Sequence, residues 1–179
     1  MKRRAVWVGA LCAVFAGSAV LAQGTEEGFV SLFDGKTLNG WARHGGKSTY
    51  GVEDGAIAGH FGDPGRNTFL CSEKAYGDFI LRLEFKLEGG NSGVQFRSAV
   101  RPNPDKSETV FGYQAEIAGD AGVVARIYDE GRRGFQFGRI WLDNTATGTL
   151  VTSSAAYKKG DWNKMEIQCV GPSIRTWLN

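Results

Sequence analysis

A chain of 179 residues, 42% hydrophobic, is long enough for one domain with a substantial core, and 26 glycines against 4 prolines point to many tight turns. The formal net charge of +2 is carried by the N-terminus: without Lys2, Arg3 and Arg4, 18 Lys+Arg face 19 Asp+Glu, a net charge of −1. No basic stripe remains for nucleic acid, and that class of partner is set aside.

Lys2-Arg3-Arg4, the apolar run from Ala5 to about Gly17, and the small residues Ser18 to Ala22 read as a signal peptide over residues 1–22, cleaved after Ala22. The run approaches spanning length, but its Ala/Gly-rich, weakly apolar makeup favours a cleaved signal over a retained anchor. The protein is therefore expected in the bacterial periplasm or outside the cell, with no stable membrane association after cleavage. Residues 23–28 form a short polar lead-in, and the folded domain is expected over residues 29–179.

In chain order, Phe29 to Phe33 reads as a first strand and Asp34-Gly35-Lys36 as a turn. Tyr50 to Ala58 reads as a hairpin with Asp54-Gly55 at its tip. Gly59 to Arg66 is a loop, and Thr68 to Ser72 a strand. Phe79 to Glu88 alternates apolar and polar residues, placing Phe79, Leu81, Leu83, Phe85 and Leu87 on one face. Asn91-Ser92-Gly93 reads as part of a tight reversal into the strand Val94 to Arg97. Ala99 to Val110, with Pro102 and Pro104, is expected as a long exposed loop. Tyr113 to Ile117 and Val123 to Tyr128 are strands, followed by a charged loop over Asp129 to Gly134. Short strands at Leu150 to Thr152, Lys164 to Val170 and Ser173 to Leu178 complete the pattern; Val151 to Tyr157 is ambiguous between strand and helix. The fold class is all-β, an antiparallel β-sandwich of jelly-roll type. A turn and a returning strand are expected beyond Asn179, because the apolar face of the last strand has no partner in the sequence before it.

Cys71 and Cys169 are 98 residues apart and either pair or remain buried thiols; there is no CxxC and no zinc-ligand spacing. Trp41, Trp141, Trp162 and Trp177 read as core anchors, one of which is able to stack on a sugar ring. His44 and His60 lie in glycine-rich loops; each reads first as a surface histidine and, as the alternative, as a metal ligand.

If the strands between Phe79 and Ile117 are neighbours, alternation brings Gln95, Arg97, Gln114 and Glu116 onto one open face, and two amides, a guanidinium and a carboxylate suit a polyhydroxylated ligand. Arg97 and Glu116 also read as a cross-strand ion pair on a solvated face. A two-carboxylate retaining glycosidase fits poorly. The stretch Gln114 to Gly119 has Gln and Gly where Glu-x-Asp-x-x-Glu would have acids. Asp120 lies about 13 Å along the strand from Glu116, beyond the ~5–5.5 Å a nucleophile and acid need.

Leu32-Phe33-Asp34-Gly35-Lys36-Thr37-Leu38-Asn39-Gly40-Trp41, Asn91-Ser92-Gly93-Val94-Gln95-Phe96-Arg97, Gly160-Asp161-Trp162-Asn163 and Trp177-Leu178-Asn179, in that order, resemble the 3-keto-disaccharide hydrolase domain family over roughly Phe29 to Asn179. The resemblance implies a concanavalin A-like sandwich and cleavage of 3-keto-glycosides by elimination, hydration or both. The implied substrate is a glycoside or oligosaccharide, and the implied chemistry often uses a divalent metal ion as Lewis acid, whose ligands the sequence does not identify. Family members usually continue past the Trp-Leu-Asn motif with further strands that are not present here.

A ketone at sugar C3 acidifies the C2 proton, so the reaction needs a base and a stabiliser for the developing enolate. Glu116 is the candidate base or metal ligand and Arg97 the candidate oxyanion stabiliser. Gln95 and Gln114, with Tyr128 and Glu130 from the next strand, are the candidate substrate-binding residues. The alternative is a non-catalytic, lectin-like carbohydrate-binding module of the same fold.

Overall fold

The computed structural model describes residues 5–14, 28–62, 65–134 and 156–179, which form twelve strands. The large sheet runs β12 (Ser173–Leu178), β11 (Asn163–Val170), β7 (Phe79–Leu87), β1 (Ala5–Val14), β5 (Ala56–His60), β4 (Thr49–Glu53), with β2 (Phe29–Ser31) paired to β1. A second sheet runs β10 (Ile127–Glu130), β9 (Glu108–Ala118), β8 (Asn91–Pro102), and β3 (Trp41–Gly45) pairs with β6 (Thr68–Ser72). Every described pairing is antiparallel.

The two larger sheets bury a shared core. From β7 come Leu81, Leu83, Phe85 and Leu87, and from β11 Met165, Ile167 and Cys169; facing them are Phe96, Ala115, Ile117 and Ile127 of the second sheet. This is the expected antiparallel β-sandwich. Alternation drives it, because each strand presents its apolar residues to one side only. Removing Phe85 from water completely contributes roughly 1.5–3 kcal/mol. The polar residues of β7 face outward, where Arg82 Nε lies 2.6 Å from Glu166 Oε2 of the neighbouring strand.

β1 is the apolar run read above as the body of a signal sequence, and it lies between β5 and β7. Its pairing sets Val6 and Val8 opposite Leu87 and Phe85. The cleavage position after Ala22, residues 23–27, Trp141, Leu150 to Thr152 and most of the ambiguous segment up to Tyr157 lie outside the described residues. Among the described residues no helix is long and apolar enough to cross a membrane.

The hairpin at Asp54-Gly55 forms as expected, both residues having φ in the left-handed region (50° and 75°) that such a two-residue turn requires. Asp34 closes its turn by accepting from the backbone N–H groups of Lys36 and Thr37 at 2.8 and 2.6 Å. Three expectations change. Asn91-Ser92-Gly93 is not the reversal; it opens β8, and the turn falls before it at Gly90 (φ 84°). Ala99 to Val110 is not a long loop either. β8 continues to Pro102 and β9 begins at Glu108, joined by a short turn in which Asn103 N–H donates to the Ser107 carbonyl at 2.8 Å. Asp129 and Glu130 belong to β10, while Val123 to Ala125 form a turn.

The motifs quoted for the family resemblance tie the sandwich together. Trp41 Nε1 donates to the Leu32 carbonyl at 3.1 Å. Asn163, fully buried, donates to the carbonyls of Lys158 and Asp161, and its Oδ1 accepts from Asn179 Nδ2 at 2.9 Å. Trp41 packs against the core, but Trp162 is 36% exposed with the Lys86 ammonium 5.8 Å above its ring, so it is no core anchor. Cys71 and Cys169 are both free thiols.

Candidate active site

The site is the face of β8-β9-β10 that points away from the shared core. Val94 and Phe96, Tyr113, Ala115 and Ile117, and Ile127 take the core side. By alternation Gln95, Gln114, Glu116, Tyr128 and Glu130 take the other. Register sets them in rows: Gln95 beside Gln114 beside Tyr128, Gly93 beside Glu116, and Gly112 beside Glu130. Five of the six expected residues are thus brought to one face.

Glu116 sits at the centre, 4% exposed. Gln114 Nε2 donates to its Oε1 at 2.7 Å and Asn91 Nδ2 to its Oε2 at 3.1 Å. Two amide N–H groups aimed at two oxygens hold the carboxylate in one orientation and replace the water lost on burial. The backbone continues the ladder here, since Glu116 N–H donates to the Arg126 carbonyl at 2.9 Å. Glu130 Oε1 accepts from Asn67 Nδ2 at 3.1 Å, a link from the loop before β6. Burial pushes the Glu130 carboxyl above the usual carboxylate range, and the negative charge of Glu116 adds to this against the Asn67 hydrogen bond. The Tyr128 hydroxyl is likewise pushed up, by burial first and then by Glu130, Glu116 and Asp129.

Gln95 differs from its neighbours. Both its amide Nε2 and Oε1 are buried and, among the described residues, neither has a hydrogen-bond partner. A buried polar group left unpaired costs about 1–3 kcal/mol, so such groups are rare in folded proteins.

Arg97 does not join this face, a correction to the simple alternation argument. The β8–β9 register shifts between Phe96 and Ala99, and Arg97 occupies the bulge with φ 48°. The extra residue turns its side chain away from the row, and its Nη2 lies 3.4 Å from Asp78 Oδ1, near the turn at Gly171. The Arg97–Glu116 ion pair is therefore absent too. Asp129 is the opposite case, a charged residue in a strand on the core side. It is fully buried and held by Arg132, whose Nε is 2.6 Å from Oδ1, and by Arg133 on Oδ2.

Asn91 and Asn67, which donate to Glu116 and Glu130, are residues of the candidate site that sequence reasoning missed. Asn91 is in a motif whose plainest reading was a turn. Asn67 is 63 residues from Glu130 in the chain, and no local pattern links them.

Residues 28–179 match the family described as the 3-keto-alpha-glucoside-1,2-lyase-like domain. The chain belongs to this family. It is also similar to a 3-keto-disaccharide hydrolase of Bacteroides thetaiotaomicron, with 33% identity over 89 residues. That match covers 45% of this chain and 31% of the relative, so the chain matches less than a third of the relative's length. The 3-keto-alpha-glucoside-1,2-lyase-like domain thus includes every strand of the site face and both asparagines that hold its carboxylates.

The donor set does not by itself fit a divalent ion. Among the described residues no three of His, Cys, Asp and Glu converge, and both Glu116 oxygens already accept amide N–H groups. His44 Nδ1 is 2.8 Å from Glu108 and His60 Nε2 is 2.6 Å from Glu53, each engaged with a carboxylate of its own.

Proposed function

We propose that this face cleaves 3-keto-glycosides by elimination followed by hydration, giving net hydrolysis. Glu116 is the base. Its carboxylate takes the C2 proton, made acidic by the C3 ketone, and the C2–H electron pair becomes the C1=C2 double bond. The C1–O pair leaves on the glycosidic oxygen, which takes the proton of Glu130. Water then adds across the double bond, oxygen to C1 and proton to C2. Gln114 and Asn91 orient the base, and Tyr128 bonds sugar hydroxyls. Positioned proton transfer of this kind contributes about 10²–10⁴-fold each.

The observation that carries the reading is a buried carboxylate held by two amides on the face of β8-β9-β10 turned away from the core, in a domain of this family. The elimination also needs no carboxylate nucleophile at C1, so it does not require the ~5–5.5 Å nucleophile–acid pair of a retaining glycosidase. The N-terminal basic and apolar segments support export and cleavage after Ala22, which would remove β1 from the large sheet; the mass of the exported protein reads this directly.

The test is to incubate the full chain with a 3-keto-glucoside, with and without EDTA, and follow aglycone release in wild type and Glu116→Gln. Release that falls at least a hundredfold in Glu116→Gln is expected, on the order of the general-base contribution. Binding without turnover, unchanged in Glu116→Gln, would replace the reading with a carbohydrate-binding module. Loss of release in EDTA alone would bring a divalent ion into the site.

A further inference from the structure

We infer that Gln95 supplies the hydrogen-bond donor to the sugar C3 oxygen, where negative charge develops as the C2 proton leaves. The inference rests on the proposed elimination and completes it. The reaction needs a donor at the enolate oxygen. Arg97, the one cation that simple alternation offers for this task, is carried off by the β8 bulge to Asp78. The Nε2 of Gln114 is engaged with Glu116. In the same row, one strand over from Gln114, Gln95 holds a buried amide with neither its N–H nor its carbonyl paired among the described residues.

The chemistry of the amide matches what is missing. It offers N–H donors and one carbonyl acceptor side by side. A ketone accepts only, and the neighbouring hydroxyl of a 3-keto sugar donates, so the two groups together satisfy both halves of Gln95. A neutral amide also leaves Glu116 free of a competing cation. In a site this covered, a fixed donor needs little reorganisation when the oxygen becomes an enolate.

Proton exchange separates this step from leaving-group departure. A 3-keto sugar with hydrogen in place of the C1 substituent has nothing to expel, so the enzyme is only able to exchange its C2 proton. The full chain is incubated in D2O with this sugar, and loss of the C2 proton signal is followed by NMR. Wild type exchanges it, and Gln95→Met exchanges it about a hundredfold more slowly, the usual loss for one donor at an oxyanion. Gln95→Leu, which keeps much of the bulk and removes both donor and acceptor, behaves as Gln95→Met does. Thermal unfolding of each variant checks that the fold is kept; slow exchange by Gln95→Leu with a wild-type melting temperature supports the assignment where Gln95→Met is destabilised. Wild-type exchange rates in Gln95→Met or Gln95→Leu overturn the role of Gln95 and leave the elimination standing. No exchange by wild type, together with no aglycone release, overturns the elimination and this role with it.

Discussion

Gln114 reaches Glu116 two residues along its own strand, Nε2 to Oε1 at 2.7 Å, across a space that Gly93 leaves open on the neighbouring strand. A Cβ at position 93 would lie 2.5 Å from Cγ and Cδ of Gln114. Gly93 is thus a clearance residue for the amide that holds the Glu116 carboxylate. Gly93→Ala is expected to displace Gln114, lowering turnover by up to about a hundredfold through misplacement of Glu116. It should also cost about 1–3 kcal/mol of stability through overpacking. Steady-state kinetics and chemical denaturation read the two effects; a variant with wild-type turnover would show that the Gln114 contact is dispensable.

Glu130 gives a pH signature. Its carboxyl is raised by burial, so its contribution to stability is fully present below the unfolded value of about 4.3 and is lost as pH rises through the higher folded value. Glu130→Gln cannot ionise. The melting temperature of this variant should therefore gain on that of wild type as pH rises from about 4 toward neutrality. If Glu130 delivers the proton to the leaving oxygen, aglycone release also declines on the basic side of that window, and Glu130→Gln flattens the decline. Parallel melting curves at every pH would remove Glu130 as the titrating group.

Asp129 gives the opposite sign. Burial pushes its carboxyl up, but the hydrogen bonds from Arg133 and Arg132 outweigh this and hold it below the usual range. Its stabilisation is present above the unfolded value of about 3.9 and is lost as pH falls through the folded one. Asp129→Ala leaves two guanidiniums without their carboxylate. It should cost roughly 3 kcal/mol, the low end for breaking a buried pair, because Arg132 and Arg133 are partly solvated. Urea denaturation at neutral pH and at about pH 3 checks both magnitude and sign, the difference between variant and wild type shrinking in acid.

The thiols should differ in reactivity. Cys169 is fully buried and burial pushes its thiol up to about 11, while Cys71 is partly exposed and raised by burial and then by Glu108. A thiol-reactive dye on the native protein is expected to label Cys71 slowly and Cys169 only after denaturation. Equal labelling of the two in the native state would contradict the packing of β11 against the core.

Much of the site was legible because strand alternation is local. Phe79 to Leu87 announces its core face residue by residue, and the same rule places Gln95 with Gln114 and Glu116 once β8 and β9 are neighbours. Arg97 shows where the rule stops. Nothing in Val94-Gln95-Phe96-Arg97 announces a bulge, since a bulge depends on how β8 and β9 keep register on both sides of it. The long strand through Pro102 was hidden for a similar reason. Its prolines suggested a loop, and only pairing with Glu108 to Phe111 makes it part of the sheet.

The sequence by itself determined an all-β sandwich, a polar face carrying Gln95, Gln114 and Glu116, and a resemblance that the family match bears out. Only the tertiary structure decided which of those groups work together. It set Asn91 and Gln114 on the two oxygens of Glu116, brought Asn67 across 63 residues of chain to Glu130, and sent Arg97 to Asp78. The reason is physical: the period of a strand is written in consecutive residues, whereas register, bulges and loop contacts are set by which distant strands pair.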